Sequence, residues 1–211
     1  MEKPVIIFGA KGIAHPALEI FNSNNVVVFG FLDEDEKIHG TEINTVSVLG
    51  NPEDDGFLKL IGQKTEAFIA EENPKYRKFL VELLNDRRKV QPVNAIHRRS
   101  FISTDATIGH GNFINANVNI GAGAEIGSHC IINSAAIIEH KAKLGDFVQI
   151  GAGSVINSEV TIEDGAFIGS GATIISGVTI GKNARVGAGS VVISTVGSNE
   201  TVFGNPAAKV K

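Results

Sequence analysis

Cysteine is almost absent from this chain of 211 residues, Cys130 being the only one. That excludes an intramolecular disulfide and any zinc site built on paired cysteines. A basic surplus is missing too. The formal net charge is -4 with 43% hydrophobic residues, and short clusters such as Asn85-Asp86-Arg87-Arg88-Lys89 make no nucleic-acid footprint. Long apolar runs are also lacking. The first, Pro4 to Ala10, is broken by Lys11 and is too short for a signal-peptide core. None approaches the roughly 20 apolar residues that span a bilayer. A cytoplasmic protein is expected.

Leucine disappears part-way along the chain. Helix formers, Lys, Arg and Leu crowd the region before residue 95. Beyond it Gly, Ala, Ile, Val, Asn and Ser take over, and Leu144 is the only leucine. Two architectures are therefore predicted, over residues 1–95 and 96–200, with a short tail over 201–211.

What the second part holds is a repeat. Every sixth residue from 102 reads Ile102, Ile108, Ile114, Ile120, Ile126, Ile132, Ile138 and Leu144, then Ile150, Ile156, Ile162, Ile168, Ile174, Ile180, Val186 and Val192. Four places after each stands Ala, Val, Cys or Ser, with Asn112 the exception. Gly, Asn or Glu usually follows the aliphatic residue directly. A period of six suits neither the 3.6 of a helix nor a hairpin array. It suits a coil whose flat faces each use one hexad, the aliphatic inward and the small residue in a tight corner. Coils stacked at the strand spacing of about 4.8 Å give every backbone amide a partner. Gly and Asn at positions that tolerate positive φ make the corners cheap to turn.

In the first part, Val5-Ile6-Ile7-Phe8 reads as a buried strand, followed by the turn Gly9-Ala10-Lys11-Gly12 and a helix through Leu18-Glu19-Ile20-Phe21. A second strand runs from Val26 to Phe31 and ends at Asp33-Glu34. Phe68-Ile69-Ala70 is a third, and a helix follows from about Pro74 to Arg87. Strand, glycine turn and helix begin a Rossmann-like unit, in which free amides at the helix start favour a phosphate. The Gly9-x-x-Gly12 spacing alone also suits a plain tight turn.

The repeat resembles the hexapeptide acyltransferases, whose left-handed parallel β-helix uses three hexads per coil. The whole chain is similar to one subfamily of these, the sugar O- and N-acyltransferases like NeuD and PglD. Their order of elements is matched by Gly9-Ala10-Lys11-Gly12, Phe31-Leu32-Asp33-Glu34, Phe68-Ile69-Ala70-Glu71-Glu72-Asn73 and the closing Gly204-Asn205-Pro206-Ala207. The resemblance implies a homotrimer, with acetyl-CoA as co-substrate and no metal. It also implies a nucleotide-linked amino sugar, acetylated on its amino group for surface glycan synthesis.

Acyl transfer from a thioester needs a base for the nucleophile's proton and a donor near the developing oxyanion. Imidazole is the usual base at neutral pH, and six histidines are present: His15, His39, His97, His110, His129 and His140. The segment Asn133-Ser134-Ala135-Ala136-Ile137-Ile138-Glu139-His140 resembles the subfamily's Asn-x-x-x-x-Ile-Glu-His, which makes His140 the general base in a cleft between subunits. The family's orienting acid after this histidine is replaced by Lys141. One coil on from Lys141 stands Glu159, so Glu159 or Glu139 is the expected orienting carboxylate. The family's second histidine falls at Gln149, whose amide can still donate to the thioester carbonyl. By the same carry-over Ser170 and Ala188 line the pantetheine groove, and Lys209 or Lys211 meets the CoA phosphates.

On the acceptor side the expected residues are Lys11, Gly12, Ile13, Asp33, Glu34, Glu72 and Asn133. Ile13 stands where the family often has histidine. Glu72 stands where a glycine usually lets the nucleotide base approach. Sugar or sialic acid O-acetylation uses the same base and stays open, as does an inactive trimeric scaffold or nucleotide-sugar sensor. A γ-type carbonic anhydrase shares the β-helix, but His110, His129 and His140 do not match its short paired spacing.

Overall fold

The computed structural model describes residues 3–210, and the chain divides into two compact units between Ala95 and Ile96. In the first, five strands make one sheet in the order β3-β4-β2-β1-β5. They are β1 (Val5–Phe8), β2 (Val28–Leu32), β3 (Glu42–Ile43), β4 (Val46–Gly50) and β5 (Glu66–Ile69). β4, β2, β1 and β5 run parallel, and β3 closes an antiparallel hairpin on β4. All four residues of β1 are buried, the continuous apolar run of a strand covered on both faces.

Among the described residues three α-helices, α1 (Ala14–Ser23), α2 (Asp55–Leu58) and α3 (Pro74–Arg88), and a short 3-10 helix over Glu36–Ile38 complete this unit. α3 starts where Pro74 predicts, because the Asn73 side chain accepts the Lys75 and Tyr76 N–H groups. It ends when Lys89 takes a left-handed conformation, φ +56°. β3, β4 and α2 are additions to the elements expected from sequence, since their short runs carry too little periodicity. No helix among the described residues is long and apolar enough to cross a membrane.

The second unit is a three-sided coil of two-residue parallel strands. Ile102 pairs with Ile120, Ile120 with Ile138, and the column continues through Ile156, Ile174 and Val192, always three hexads on. The other two sides repeat that register from Ile108 to Ile180 and from Ile114 to Val186. This architecture fits the left-handed β-helix that the repeat suggests. The inward aliphatics and the small corner residues form one continuous core. Asn112, the exception among the small residues, is fully buried. Its Oδ1 accepts the Cys130 N–H at 2.7 Å, and its Nδ2 donates to the Gly127 carbonyl at 2.9 Å, so both ends of the amide are satisfied. The tail beyond 200 belongs to this unit, with Thr201–Gly204 and Ala207–Lys209 extending the third side.

At the corners positive φ falls on the third residue after the aliphatic, on glycines such as Gly111 and Gly123 and on Asn117, His129, Ala135, Lys141, Phe147 and Glu159, the last six all between +57° and +61°. The glycine directly behind the aliphatic serves close stacking instead. A Cβ on Gly121 would sit 2.8 Å from the His140 nitrogen and 3.0 Å from the Glu139 carbonyl carbon. Glycine there lets one corner nest under the next.

The three outward faces differ in character. The first carries Phe101, Asn119, Ile137, Val155, Thr173 and Val191, with Phe101 62% and the corner residue Ile193 52% exposed. The second is polar, with Lys143 and Glu125 ion-paired at 2.8 Å. On the third, the Arg185 guanidinium lies 4.5 Å over the Phe167 ring.

Candidate active site

In the first unit, a cavity of about 150 Å³ opens above the C-terminal ends of β1 and β2, where parallel sheets present their ligands. Gly9, Lys11, Gly12, Asp33, Glu34, Asp35, Glu71, Glu72 and Tyr76 are among its lining residues. Gly9 (φ +99°) has no room for a side chain, because a Cβ would come within 2.6 Å of the Ala70 carbonyl oxygen. A Cβ on Gly12 (φ +50°) would strike the Glu72 carboxylate, which therefore overhangs the turn. The loop bearing Glu72 is fixed from beneath: buried Arg77 donates to the Glu71 and Glu72 carbonyls at 2.9 and 3.3 Å. α1 begins without a side-chain cap; in its first turn the Ala14 N–H donates to the Lys11 carbonyl at 2.9 Å, and Pro16 carries no N–H.

Five of the seven expected acceptor residues, Lys11, Gly12, Asp33, Glu34 and Glu72, meet in this cavity. Ile13 does not; its side chain is buried in the core, since the position opens α1 on its inner face. Asn133 lies on the other unit and donates its amide to the Ile150 carbonyl at 3.1 Å, a rung between coils. Asp33 is also less free than expected. Its two oxygens accept the Ala10 and Asp35 N–H groups at 2.8 and 2.9 Å, pinning the glycine turn to the end of β2. Two lining residues, Asp35 and Tyr76, are not among those expected from sequence. Asp35 pairs with Lys11 at 2.8 Å. The hydrogen bond between them holds the Lys11 pKa above, and the Asp35 pKa below, its ordinary value. Burial, then the neighbouring Glu34 carboxylate, raises the Tyr76 hydroxyl far above the ordinary phenol range, so it stays protonated as a donor.

In the second unit His140 stands exposed on the corner after the first face. Its Nδ1 lies 3.1 Å from Ser158 Oγ, one coil on. The expected carboxylate is thus displaced by one residue: Glu159 meets this corner through its backbone, its N–H donating to the His140 carbonyl at 3.2 Å. Among the described residues no ion pair joins Glu159 to Lys141, and no hydrogen bond or ion pair joins Glu139 to His140.

Gln149 lies half-exposed on the third face between Ile131 and Phe167. Exposed Ser170 and Ala188 stack on the corner that follows it. The nitrogen of Ser170 crowds the place a Gly151 Cβ would take, and that of Ala188 comes 2.5 Å from an added Gly169 Cβ. These two corners are the two edges of the apolar first face, so one chain holds His140 and the Ser170–Ala188 ledge on opposite sides of it. Lys209 is ion-paired to Glu200 at 2.6 Å, and Lys211 lies outside the described residues. His129 is buried against Phe147, ring centroids 4.9 Å apart. Among the described residues no three His, Cys, Asp or Glu side chains gather as a metal-holding group.

The family described as bacterial transferase hexapeptide, with six repeats, matches residues 141–176 and 159–194. No curated protein matches the chain by sequence. Among solved structures, the chain is similar to PerB from Caulobacter crescentus, in complex with CoA and GDP-perosamine, at 31% identity. That likeness covers 99% of this chain and 97% of the other, with a TM-score of 0.90. A variant of the GDP-perosamine N-acetyl transferase from Caulobacter crescentus, again with CoA and GDP-perosamine, matches at 30% identity with the same coverage and TM-score. The acetyltransferase domain of PglB from Neisseria gonorrhoeae, in complex with acetyl coenzyme A, has the same fold at 24% identity. There all of both chains is covered, and the TM-score is 0.90.

Proposed function

Since this chain belongs to the bacterial hexapeptide-repeat transferases, we propose that it is an acetyl-CoA-dependent N-acetyltransferase of a nucleotide-linked amino sugar, with His140 as general base. The observation that carries this is the near-full-length likeness to an N-acetyltransferase crystallised with CoA and GDP-perosamine. The amine nitrogen attacks the thioester carbonyl carbon, the new C–N bond forms, and the C–S bond to CoA breaks. His140 takes the amine proton as attack proceeds. Gln149 donates toward the thioester oxygen, and Ser170 and Ala188 form the ledge along which pantetheine lies.

The two edges of the apolar face favour a homotrimer. A cyclic, head-to-tail arrangement buries Phe101, Ile137 and their neighbours, and it brings one subunit's His140 edge to the next subunit's Ser170–Ala188 edge. The first unit serves as the Rossmann-like nucleotide-sugar site. Its cavity is smaller than the roughly 300 Å³ at which whole ligand sites begin, so it holds one portion of the substrate. Five carboxylates against one lysine suit a group rich in N–H and O–H donors rather than the diphosphate itself. Guanine, with adjacent N1–H and N2–H donors, satisfies a carboxylate such as Glu72 better than the carbonyl-flanked edge of uracil or thymine. The phosphates then lie over the glycine turn Gly9-Ala10-Lys11-Gly12 that leads into α1.

The test is CoA release from acetyl-CoA with GDP-, UDP- and TDP-linked 4-amino sugars, together with the light-scattering mass. The expected result is turnover with the GDP-linked amine and a mass three times 22.2 kDa. CoA binding without turnover on any amino sugar overturns the transferase reading, and a monomer overturns the assembly.

A further inference from the structure

We infer that Ser158 is the positioning residue of the general base, holding His140 from the adjacent coil where a carboxylate would otherwise stand. This rests on the reading of His140 as base. The geometry is a single side-chain contact between neighbouring coils, Ser158 Oγ to His140 Nδ1 at 3.1 Å. Neither residue's backbone has latitude. The Glu159 N–H donates to the His140 carbonyl at 3.2 Å, the Lys141 N–H donates to the Ala122 carbonyl at 2.9 Å, and the Gly177 N–H donates to the Ser158 carbonyl at 3.1 Å. Gly121, with no room for a Cβ beneath the His140 nitrogen, seats the corner from below. The imidazole has rotational freedom about its side-chain bonds only, and Ser158 removes it.

Which nitrogen carries the proton decides whether the ring can work. A base attacking through Nε2 needs the proton on Nδ1, and that N–H must have an acceptor. The Ser158 hydroxyl oxygen supplies it. A serine orients the ring and fixes the tautomer without adding negative charge, in contrast to a carboxylate, which would also favour the imidazolium.

The charged side chains on this edge are Glu139 and Lys141 on the histidine's own corner and Glu159 on the next. The coil below presents Gly121-Ala122-Gly123, with no charge. Lys141 is turned away from the contact by its left-handed backbone, φ +57°. Its stem lies over Gly123, where an added Cβ would be 3.5 Å from Lys141 Cγ. The lysine thus leans onto the preceding coil and leaves Nδ1 to the following one.

Four variants of the full chain, His140→Ala, Ser158→Ala, Ser158→Thr and Ser158→Asp, test this by steady-state kinetics, pH profile and thermal melting. Ser158→Ala is expected to lower kcat about tenfold, a share of what general-base catalysis supplies, with both KM values and the melting temperature unchanged. Ser158→Thr, which keeps the hydroxyl, restores kcat to within about twofold of the parent. Ser158→Asp moves the acid limb of the kcat/KM profile up by about one pH unit, because a carboxylate on Nδ1 favours the protonated ring, which is inactive as a base. An unchanged kcat in Ser158→Ala, or an acid limb that does not move in Ser158→Asp, overturns the inference. If His140→Ala is inactive while Ser158→Ala is unaffected, the positioning role alone fails. If His140→Ala retains full turnover, the base assignment fails, and the role of Ser158 with it.

Discussion

Replacing His140 with alanine should lower kcat by about 100- to 10,000-fold, the range general acid–base catalysis contributes, while acetyl-CoA still binds and the protein still melts at the parent temperature. The reasoning is local. His140 is an exposed side chain on a corner whose stability comes from the coil's backbone ladder and from Ile138 beneath it, so its loss leaves no cavity. The attacking amine still reaches the thioester, but its proton then has only water to go to. Addition of free imidazole should restore part of the rate, since the truncated side chain leaves space where a small base can enter. The same substitution should flatten the acid side of the pH profile, because that limb reports uptake of a proton by the ring. A His140→Ala enzyme within about tenfold of the parent would assign the proton to another group.

The second large effect concerns stability. Ile150→Ala should cost about 2–5 kcal/mol and lower the melting temperature by roughly 5–20 °C. Ile150 is fully buried and lies in register between Ile132 and Ile168, themselves fully buried. The void left by its truncation opens onto three coils at once. Flat backbones locked by ladder hydrogen bonds cannot collapse inward to fill it. In a stacked repeat each layer is stabilised chiefly by its neighbours, so weakening one interface loosens the coils on either side. Thr161→Ala on the outward polar face is the matched control, expected within about 0.5 kcal/mol of the parent. If the two variants melt together, the inward column does not carry the stability assigned to it.

Much of this is legible in the residues. The inward column stands out because one physical demand, an aliphatic filling a thin core, recurs at a fixed period with nothing competing. The corner conformation is less legible. Glycine meets two demands, tolerance of positive φ and absence of a Cβ, and the sequence does not say which applies at Gly121. Only the positions of Lys141, His129 and Phe147, all left-handed yet none of them glycine, separate the two.

The grouping of Lys11, Gly12, Asp33, Glu34 and Glu72 around the glycine turn follows from sequence order, since the ends of neighbouring parallel strands must meet. Ile13 is a misleading neighbour in that turn, because an isoleucine opening an amphipathic helix belongs to the core. Tyr76 carries no such signal: it reaches the cavity from α3, far along the chain from Asp33. Ser158 is within reach of arithmetic. One coil on from His140 is residue 158, whereas one coil on from Lys141 is residue 159, and a search for a carboxylate favours the second.

The uninterrupted register of three hexads per coil has a consequence for how such a chain can change length. Gain or loss of a whole coil upstream of His140 shifts everything after it along the axis by one strand spacing, about 4.8 Å, and leaves every side chain on its own face. Gain or loss of a single hexad keeps the inward column intact and the core filled, yet carries His140 a third of the way round. Ile137, Val155, Thr173 and Val191 turn with it, whereas Phe101 and any other face residue upstream of the change do not, so the apolar face is split. Folding would tolerate both changes and catalysis only the first, so selection on activity permits this protein to grow or shrink only by whole coils.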